Sequence, residues 1–560
     1  MRIRPCGSRA LLLELDDLED ARDWYATLLD AELPGVVDLV PAARTVLVVA
    51  GEGGASSPVP RSPLGSGGLT PSPTLDDLVQ RLRTMRPARG RRPAGAGQEP
   101  LEVPVVYDGE DLAEVADLLG VEEAELVRRH TGQAWTVAFC GFAPGYGYLV
   151  PEGTAHGLEW GSLPRRHVPR TRVPAGAVAV AGRFTGIYPS PSPGGWQLIG
   201  RTALALFDAD REPAALLVPG RRVRFRDVTR EAGSLSRGHG WWPPWTGRSS
   251  GPGDRPGGSR VRASVVEPVL TVVRAGPSTT TQDDGRPGAA SIGVSPSGAA
   301  DRASYRLANR LVGNRSGAAA LEVTAGGLVL RAVRHVLVAV TGAPCAGAPH
   351  DGSVWLRAGD ELTLGTPSRG LRTYVAVRGG VEVPQVMGSR SVDVLSGLGP
   401  APLRAGDLLA LAGAAGELPS VDVAPRSTVG VTPGTAQPVR LLPGPRLDWF
   451  TEAAWRTLTQ SEYRVTQDSN RVGLRLDGPG LARAVGDELP SEGLVRGAVQ
   501  VPPSGLPLVF LADHPTTGGY PVIACAVDED VDALGQLRPG DAVRFTPATS
   551  DGFGTPEARV

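Results

Sequence analysis

The chain has 560 residues, 57 basic and 59 acidic side chains and a net charge of −2, so no strong field points to nucleic acid or an anionic membrane surface. No apolar run approaches the ~20 residues of a membrane span. The N-terminal MRIRPCGSRALLLELDD has only a short apolar core followed at once by acids, unlike a signal peptide, so a cytoplasmic protein of three or four domains is expected.

All 57 basic residues are arginine; lysine is absent. A Walker A loop, which needs its lysine on the phosphates, is therefore excluded. So are a Schiff-base lysine and covalent biotin on this chain. Cys6, Cys140, Cys345 and Cys525 are far apart and form no CxxC pair, and the seven histidines form no HxH or HxxxH pair. No metal site is predicted.

In chain order, residues 1–100 read as a small α/β domain. RALLLEL is strand-like. LEDARDWYATLLDAEL has helical spacing, with Leu18, Ala21, Trp24, Tyr25 and Leu28 on one side. VVDLVPAARTVLVVA reads as two strands around a turn, and LDDLVQRLRTMR as a second helix. Stretches 51–74 and 87–100 are Gly-, Pro- and Ser- or Arg-rich, as linkers are. With Leu101–Tyr107 as a last strand, the order βαββαβ predicts a ferredoxin-like sandwich.

Residues 101–226 begin with two amphipathic helices. A strand follows and runs into GFAPGYGYL, and then comes VPAGAVAVAGRFTGIYPSPSPGGWQLIGRT. This last stretch has a partner near the C-terminus. Gly176-Ala-Val-Ala-Val180 matches Gly497-Ala-Val-Gln-Val501, Gly194-Gly195-Trp196 matches Gly518-Gly519-Tyr520, and Val223-Arg-Phe225 matches Val543-Arg-Phe545. The interval from Gly176 to Phe225 is 49 residues and that from Gly497 to Phe545 is 48. Matching order and near-equal length predict a duplicated β-unit. Its Gly-Gly-aromatic step reads either as a structural bend or as a place where backbone approaches a ligand.

Residues 227–266 form a Gly-, Pro-, Arg- and Trp-containing linker that divides the chain into halves. The second half divides near 412–438 into two barrel-like modules, 267–412 and 413–549. Their many short strands with Gly and Pro turns fit closed β-barrels, so the fold class is mainly β with a small α/β domain at the N-terminus.

GFAPGYGYL, VPRTRVPAGAVAVAG, TGIYP and PGGWQLIGRT resemble the family of allophanate hydrolase subunit 1, or 5-oxoprolinase B subunit, which includes a sporulation-kinase inhibitor. QDDGRPGAASIGVSPSGAAD, GSRSVDVLSG, SEGLVRGAVQVP and TTGGYPVIA resemble the companion family, allophanate hydrolase subunit 2, or 5-oxoprolinase C subunit. The resemblance covers nearly all of the chain outside its linkers and makes it look like a B–C fusion. It implies cyclophilin-like barrels, one in the first half and two in the second. It also implies ATP-dependent opening of 5-oxoproline to glutamate, with Mg2+ accompanying the ATP, together with a separate 5-oxoprolinase A-type subunit. Loop position 146 is Tyr where the family usually has Phe.

Opening a lactam in water is slow, and ATP would make its amide carbon electrophilic by phosphorylating the oxygen. Without lysine, arginine must hold the phosphates and the substrate carboxylate. The expected catalytic residues are His130, Arg170, Asp283, Arg286 and Arg471. The expected binding residues are Arg172, Tyr188, Gly194, Gly195, Arg201, Gln282, Arg390, Ser391, Gln500, Asp513, Gly518 and Gly519. Several have structural alternatives. His130 can serve as a cation at a helix C-terminus. Arg170 and Arg172 can form a solvated strand edge. Asp283 and Arg286 can form an internal ion pair, and Asp301 reads as an N-cap. Other functions compatible with the resemblance are a histidine-kinase inhibitor fused to its antagonist and a carboxyltransferase served by a separate biotin protein. Homo-oligomerisation is left open.

Overall fold

Short runs of alternating apolar residues set the N-terminal sheet. Strands Arg2–Pro5, Ala10–Glu14, Val36–Pro41 and Thr45–Ala50 pair antiparallel in the order first, second, fourth, third. The computed structural model describes residues 1–51, 74–90, 99–152, 163–231, 267–413, 415–424 and 434–548, and the expected linkers lie largely outside these. Helices Leu18–Ala31 and Leu75–Thr84 cover one face of the sheet. Their stripes of Leu18, Ala21, Trp24, Tyr25, Leu28, Leu78 and Leu82 are buried, as the spacing predicts. Asp17 caps the first helix, and Thr74 with Asp77 forms a capping box on the second.

One strand lies elsewhere than expected. Leu101–Val105 does not complete this sheet but pairs in parallel with Arg222–Asp227. The edge beside Ala10–Glu14 is taken by Arg2–Pro5. That pairing closes over only residues 6–9, so it costs little loop entropy.

Leu101–Val105 is the first strand of a seven-stranded sheet that curls around Val103, Trp135, Val137, Leu149, Val178, Val180, Ile199 and Phe225. Its edges meet where Val106 and Arg201 exchange backbone hydrogen bonds of 2.9 Å each. The C-terminal module repeats the plan as a closed seven-stranded barrel. Each barrel ends on a strand parallel to its first: Arg222–Asp227 on Leu101–Val105, and Ala542–Pro547 on Gln437–Pro443. The matched sequences therefore occupy matched strands, Ala177–Ala181 with Ala498–Gln500 and Gln197–Arg201 with Val522–Ala526. Between the barrels in sequence, residues 267–412 form two five-stranded sheets around one core that includes Val272, Leu321, Leu330, Val338 and Val375.

The two halves interlock. Cys6, Leu12, Val40 and Leu47 of the N-terminal sheet share a core with Leu494, Ala498, Phe510 and Cys525 of the last barrel. Cysteines 519 residues apart in sequence thus meet across the seam. Around this core, Arg4 reaches Asp448 at 2.9 Å, Arg9 pairs with Asp528, and Arg446 bridges Glu14 of the first half and Glu492 of the second. Asp38 accepts the Gly288 and Ala290 N–H groups at 2.9 and 3.0 Å, and burial pushes its pKa up to about 6. Among the described residues no helix is long and apolar enough to cross a membrane.

The barrel entry glycines carry a testable difference. Gly176 has φ +81° and its missing Cβ would collide with the Thr202 carbonyl, whereas Gly540, at φ +93°, has nothing within 4 Å of that position. Gly540→Ala should cost about 1–2 kcal/mol from backbone strain alone. Gly176→Ala should cost about 3 kcal/mol or more, because the carbonyl must also move. Chemical denaturation of the two variants checks the order.

Candidate functional site

Strand Trp135–Cys140 leaves the first barrel at Gly141 and returns as Gly147–Pro151. The reversal is tight: Ala143 N–H donates to the Gly141 carbonyl at 2.7 Å and Tyr146 N–H to the Ala143 carbonyl at 3.0 Å. At its tip Phe142 has φ +67° and is 37% exposed. The loop is held from the other half. Phe142 N–H donates to Thr517 Oγ1 at 3.1 Å, and Gly145 N–H to the Ile292 carbonyl at 2.8 Å. Any side chain on Gly141 would collide with Thr517, and any on Gly293 with the Ala143 carbonyl.

Behind Phe142 lies a group of rings. Tyr146 packs edge-on against Phe142, Tyr148, Tyr188 and Trp196, with centroid distances of 5.1 to 5.8 Å. Tyr146 and Tyr188 hydrogen-bond to each other, and Tyr148 bonds Ser491 of the second half. Burial raises all three tyrosine pKa values, that of Tyr148 to about 12, so each is a neutral hydroxyl at physiological pH. Arg165 lies near the three hydroxyls and opposes that rise. It also meets Glu488 of the second half at 3.2 Å, with side chains 50% and 74% exposed. The seam thus presents the partly exposed Phe142 ring and the accessible Arg165 guanidinium in front of buried tyrosines whose hydroxyls are paired inside the protein.

Of the first-half residues expected from sequence, Tyr188 belongs to this group. Gly194 serves it, since a Cβ there would strike the Tyr188 hydroxyl, while Gly195 makes only ordinary contact with Pro169. Gly194 is therefore needed for the protein's own ring, which favours the structural one of the two readings at this position. Arg170 donates to Asp111 at 2.8 Å beside Arg166 at 2.7 Å, and the other Asp111 oxygen accepts the Leu198 N–H at 2.7 Å. Arg201 forks onto Asp108 at 2.7 to 3.1 Å. Both arginines thus brace the 107–111 segment, while Arg172 is exposed. His130 is fully buried inside the barrel. Its Nδ1 meets the Tyr107 hydroxyl at 2.7 Å, its Nε2 meets Thr185 Oγ1 at 3.0 Å, and its ring stacks on Phe225 at 4.3 Å. Burial lowers its pKa to about 3. It is a neutral core histidine away from the seam, which corrects its expected catalytic role.

The second-half residues form a different assembly where the middle module meets the last barrel. Asp283 accepts Ser389 and Ser391 hydroxyls at 2.6 Å and the Gly285 and Arg390 N–H groups at 2.8 and 2.6 Å. The expected Asp283–Arg286 ion pair is absent among the described contacts. Arg286 is buried and donates to the Ser391 and Val386 carbonyls instead. Gln282 is also buried and donates to the Val392 carbonyl at 3.0 Å. Arg390 turns its side chain to Glu382 at 2.9 Å. Arg471 forks onto Asp513 at 2.9 and 3.0 Å, reaches Glu322, and donates to the Gly298 carbonyl at 2.6 Å. Burial would raise the Glu322 pKa, but Arg471 and Arg372 outweigh it and hold it low. Asp393 is pushed up to about 6 by burial and then by Asp513. Asp301 caps helix Arg302–Leu311, as expected.

Most of these groups are buried and bonded to one another, so they wire two modules together, while Gln282 Oε1 and Arg286 Nη1 are buried with no hydrogen-bond partner among the described residues. Gln500 and the Gly518–Gly519 step sit apart from them, beside Thr517. Gln500 donates to the Tyr520 carbonyl at 2.9 Å, and its amide nitrogen lies 2.9 Å from where Gly518 would carry a Cβ. Sequence reasoning missed Phe142, Tyr146, Arg165, Ser491 and Thr517 as site residues. The available signal was the departure at Tyr146 and the aromatic run in GFAPGYGYL; nothing in sequence pairs that loop with Thr517.

Known families match the two halves of the chain separately. Residues 1–217 match the model of carboxyltransferase domain, subdomain C and D, and residues 292–547 match that of subdomain A and B. The second half is 39% identical over 286 residues to the 5-oxoprolinase C subunit of Escherichia coli K12, covering 90% of that protein and 50% of this chain. The first half is 35% identical over 228 residues to the 5-oxoprolinase B subunit of Escherichia coli O157:H7, covering 92% of it and 39% of this chain. A urea amidolyase of Lachancea kluyveri is 33% identical over 49% of this chain, which spans only 17% of that enzyme. The crystal structure of the protein TTHA0988 superposes with a TM-score of 0.76 at 34% identity, covering 96% of this chain and 99% of that one.

Two outcomes follow from the buried groups. Arg471→Ala would leave Asp513 and Glu322 buried without their cation and should cost about 3–5 kcal/mol in chemical denaturation. His130 gives a pH signature. The unfolded histidine binds a proton below about 6.5, while the folded one stays neutral to about 3. Stability is therefore lost as pH falls through this window. The wild type should lose about 3 kcal/mol more than His130→Gln between pH 6.5 and 4. His514, lowered to about 4 by burial, and Asp38, Asp301 and Asp393, raised to about 6, titrate in both proteins and cancel in the difference.

Proposed function

The chain belongs to the family of 5-oxoprolinase B- and C-type subunits, with a B-like half preceding a C-like half, and we propose that it is the B–C component of an ATP-dependent 5-oxoprolinase. With a separate 5-oxoprolinase A-type subunit it opens 5-oxoproline (pyroglutamate) to L-glutamate in the cytoplasm. With the lactam oxygen phosphorylated at the expense of ATP, water adds to the ring carbon, the ring C–N bond breaks with the nitrogen leaving as the amine, and a second water releases phosphate from the resulting acyl phosphate, so that 5-oxoproline, ATP and two waters give glutamate, ADP and phosphate.

The observation that carries this reading is the seam, where Phe142, Tyr148 and Arg165 of the B-like half meet Thr517, Ser491 and Glu488 of the C-like half. A lactam acid is a small planar amide with one carboxylate. The partly exposed Phe142 ring suits its face and the Arg165 guanidinium suits its carboxylate, while Tyr146, Tyr148 and Tyr188 are buried behind with their hydroxyls paired inside the protein. Arg165 is exposed on a screened surface pair with Glu488, so a substrate carboxylate can replace Glu488 at little cost.

The described residues fit ATP and Mg2+ less well. There is no lysine. The N–H groups of Gly285, Gly288 and Ala290, in the Gly-rich turn best suited to phosphate, are taken by Asp283 and Asp38. Arg170 and Arg201 are engaged by carboxylates. Among the described residues no group of three or more His, Cys, Asp or Glu side chains is placed to hold a metal ion. In this proposal the nucleotide belongs to the A-type partner, and this chain binds and orients the lactam.

A second reading, transfer of a carboxyl group from a separate biotin protein, is favoured by the carboxyltransferase models and the urea amidolyase relative. The deciding experiment incubates the purified chain with 5-oxoproline and ATP, with and without the cognate A-type protein. Glutamate is expected only in the complete mixture. A well-folded pair that forms none, but exchanges carboxyl groups with a biotinylated partner, sinks the first reading in favour of the second.

A further inference from the structure

Phe142 is the one aromatic among six described non-glycine residues with positive φ. The left-handed conformation costs a residue with a Cβ about 1–2 kcal/mol, so something has to hold it there. Within its own barrel, Phe142 is flanked by Gly141, and its ring meets Tyr146 at 5.3 Å and Tyr188 at 6.3 Å. These rings fix where the side chain lies but supply no partner for the strained backbone.

The partner comes from the second half. Thr517 is 4% exposed, its Oγ1 accepts the Phe142 N–H at 3.1 Å, and its side chain fills the space beside Gly141. Thr517 is itself rigidly placed. The short strand Thr517–Gly518 pairs with Glu492–Gly493, and Leu494 N–H donates to the Thr516 carbonyl at 2.9 Å. Glu492 is clamped by buried Arg446, and Gly493 has no room for a side chain because Leu47 of the N-terminal sheet packs over it. A chain of contacts therefore runs from the N-terminal sheet through the last barrel to the aromatic loop of the first barrel. The second contact on the loop, Gly145 N–H to the Ile292 carbonyl, also comes from the second half.

We propose that Thr517 is a positioning residue for a ligand site shared by the two halves. It holds Phe142 in its left-handed conformation, so that its partly exposed ring, backed by the buried Tyr146 and Tyr188, forms a face for a small planar ring carrying a carboxylate, with Arg165 as the carboxylate's partner. This rests on the reading of the chain as a lactam-opening component. It makes the B-like site incomplete without the C-like half.

Thr517→Val keeps the shape and removes the acceptor oxygen, and Thr517→Ser keeps the oxygen. Hydrogen exchange of the Phe142 amide should be about tenfold faster in T517V and close to wild type in T517S, as expected for loss of one hydrogen bond. In the complete reaction, T517V should raise KM for 5-oxoproline about tenfold with kcat within about threefold, and T517S should restore KM. Phe142→Gly, which removes the ring without strain, should raise KM on a loop that needs no holding. Unchanged amide exchange in T517V overturns the positioning whatever the turnover. Faster exchange with KM unchanged in both T517V and F142G overturns the assignment of the lactam to this face. Absence of glutamate from the wild-type mixture overturns the functional reading alone, and the amide exchange still decides the role of Thr517.

Discussion

The seam depends on how closely two backbones approach where Thr517 lies against Gly141. Close approach of this kind tolerates no side chain on one partner and favours a polar one on the other, because the part-buried Phe142 N–H would otherwise lose its acceptor. The same logic recurs at Gly293 against the Ala143 carbonyl and at Gly493 against Leu47. Each glycine there is set by a residue of the opposite half. The halves are therefore matched at the level of main chain, which is a tighter requirement than apolar complementarity, and the aromatic loop takes its shape from that match.

The buried charges serve a related end by different means. Arg446 between Glu14 and Glu492, and Arg471 between Asp513 and Glu322, each tie elements far apart in sequence. Desolvating such ions costs about as much as their attraction returns, so their net contribution to stability is small. A mispaired arrangement, however, would leave a bare charge in the interior. With several apolar sheet faces available to pack on one another, that penalty separates the correct docking from near alternatives. Arginine suits the task because each guanidinium can satisfy two carboxylates and a carbonyl at once, as Arg471 does with Gly298.

Much of the fold was legible because it is local or repeated. The spacing of Leu18, Ala21, Trp24, Tyr25 and Leu28 fixed the buried face of the first helix, and the paired GAVAV and GAVQV motifs marked equivalent strands of two barrels. The sheet membership of Leu101–Val105 was not legible. A strand's alternation does not reveal its neighbour, and two edges were available to it. The site was legible only in part. Arg170, Arg201, Asp283 and Arg471 attracted attention as charged residues in Gly- and Pro-rich surroundings, and the structure uses them as internal braces. Charge in a loop signals that a partner is required without saying whether that partner is a ligand or another part of the chain. Thr517 and Ser491 lie in motifs that carry the family resemblance, but nothing there shows their contacts, which come from segments more than 300 residues away.

Joining the halves in one polypeptide has a physical consequence at this seam. Separate proteins would have to lose translational freedom before Thr517 could restrain Phe142, and the strained loop would relax whenever they parted. A covalent link makes that encounter intramolecular and holds the effective concentration of one half near the other high. The contacts that cross the seam include a shared apolar core with Leu12, Leu47, Phe510 and Val522, as well as the exposed pair of Arg165 and Glu488. The core gives persistence, and the exposed pair leaves one cation exchangeable. The proposed site, which would hold its rings still while releasing a guanidinium to an incoming carboxylate, needs both properties, and the seam has them in different layers.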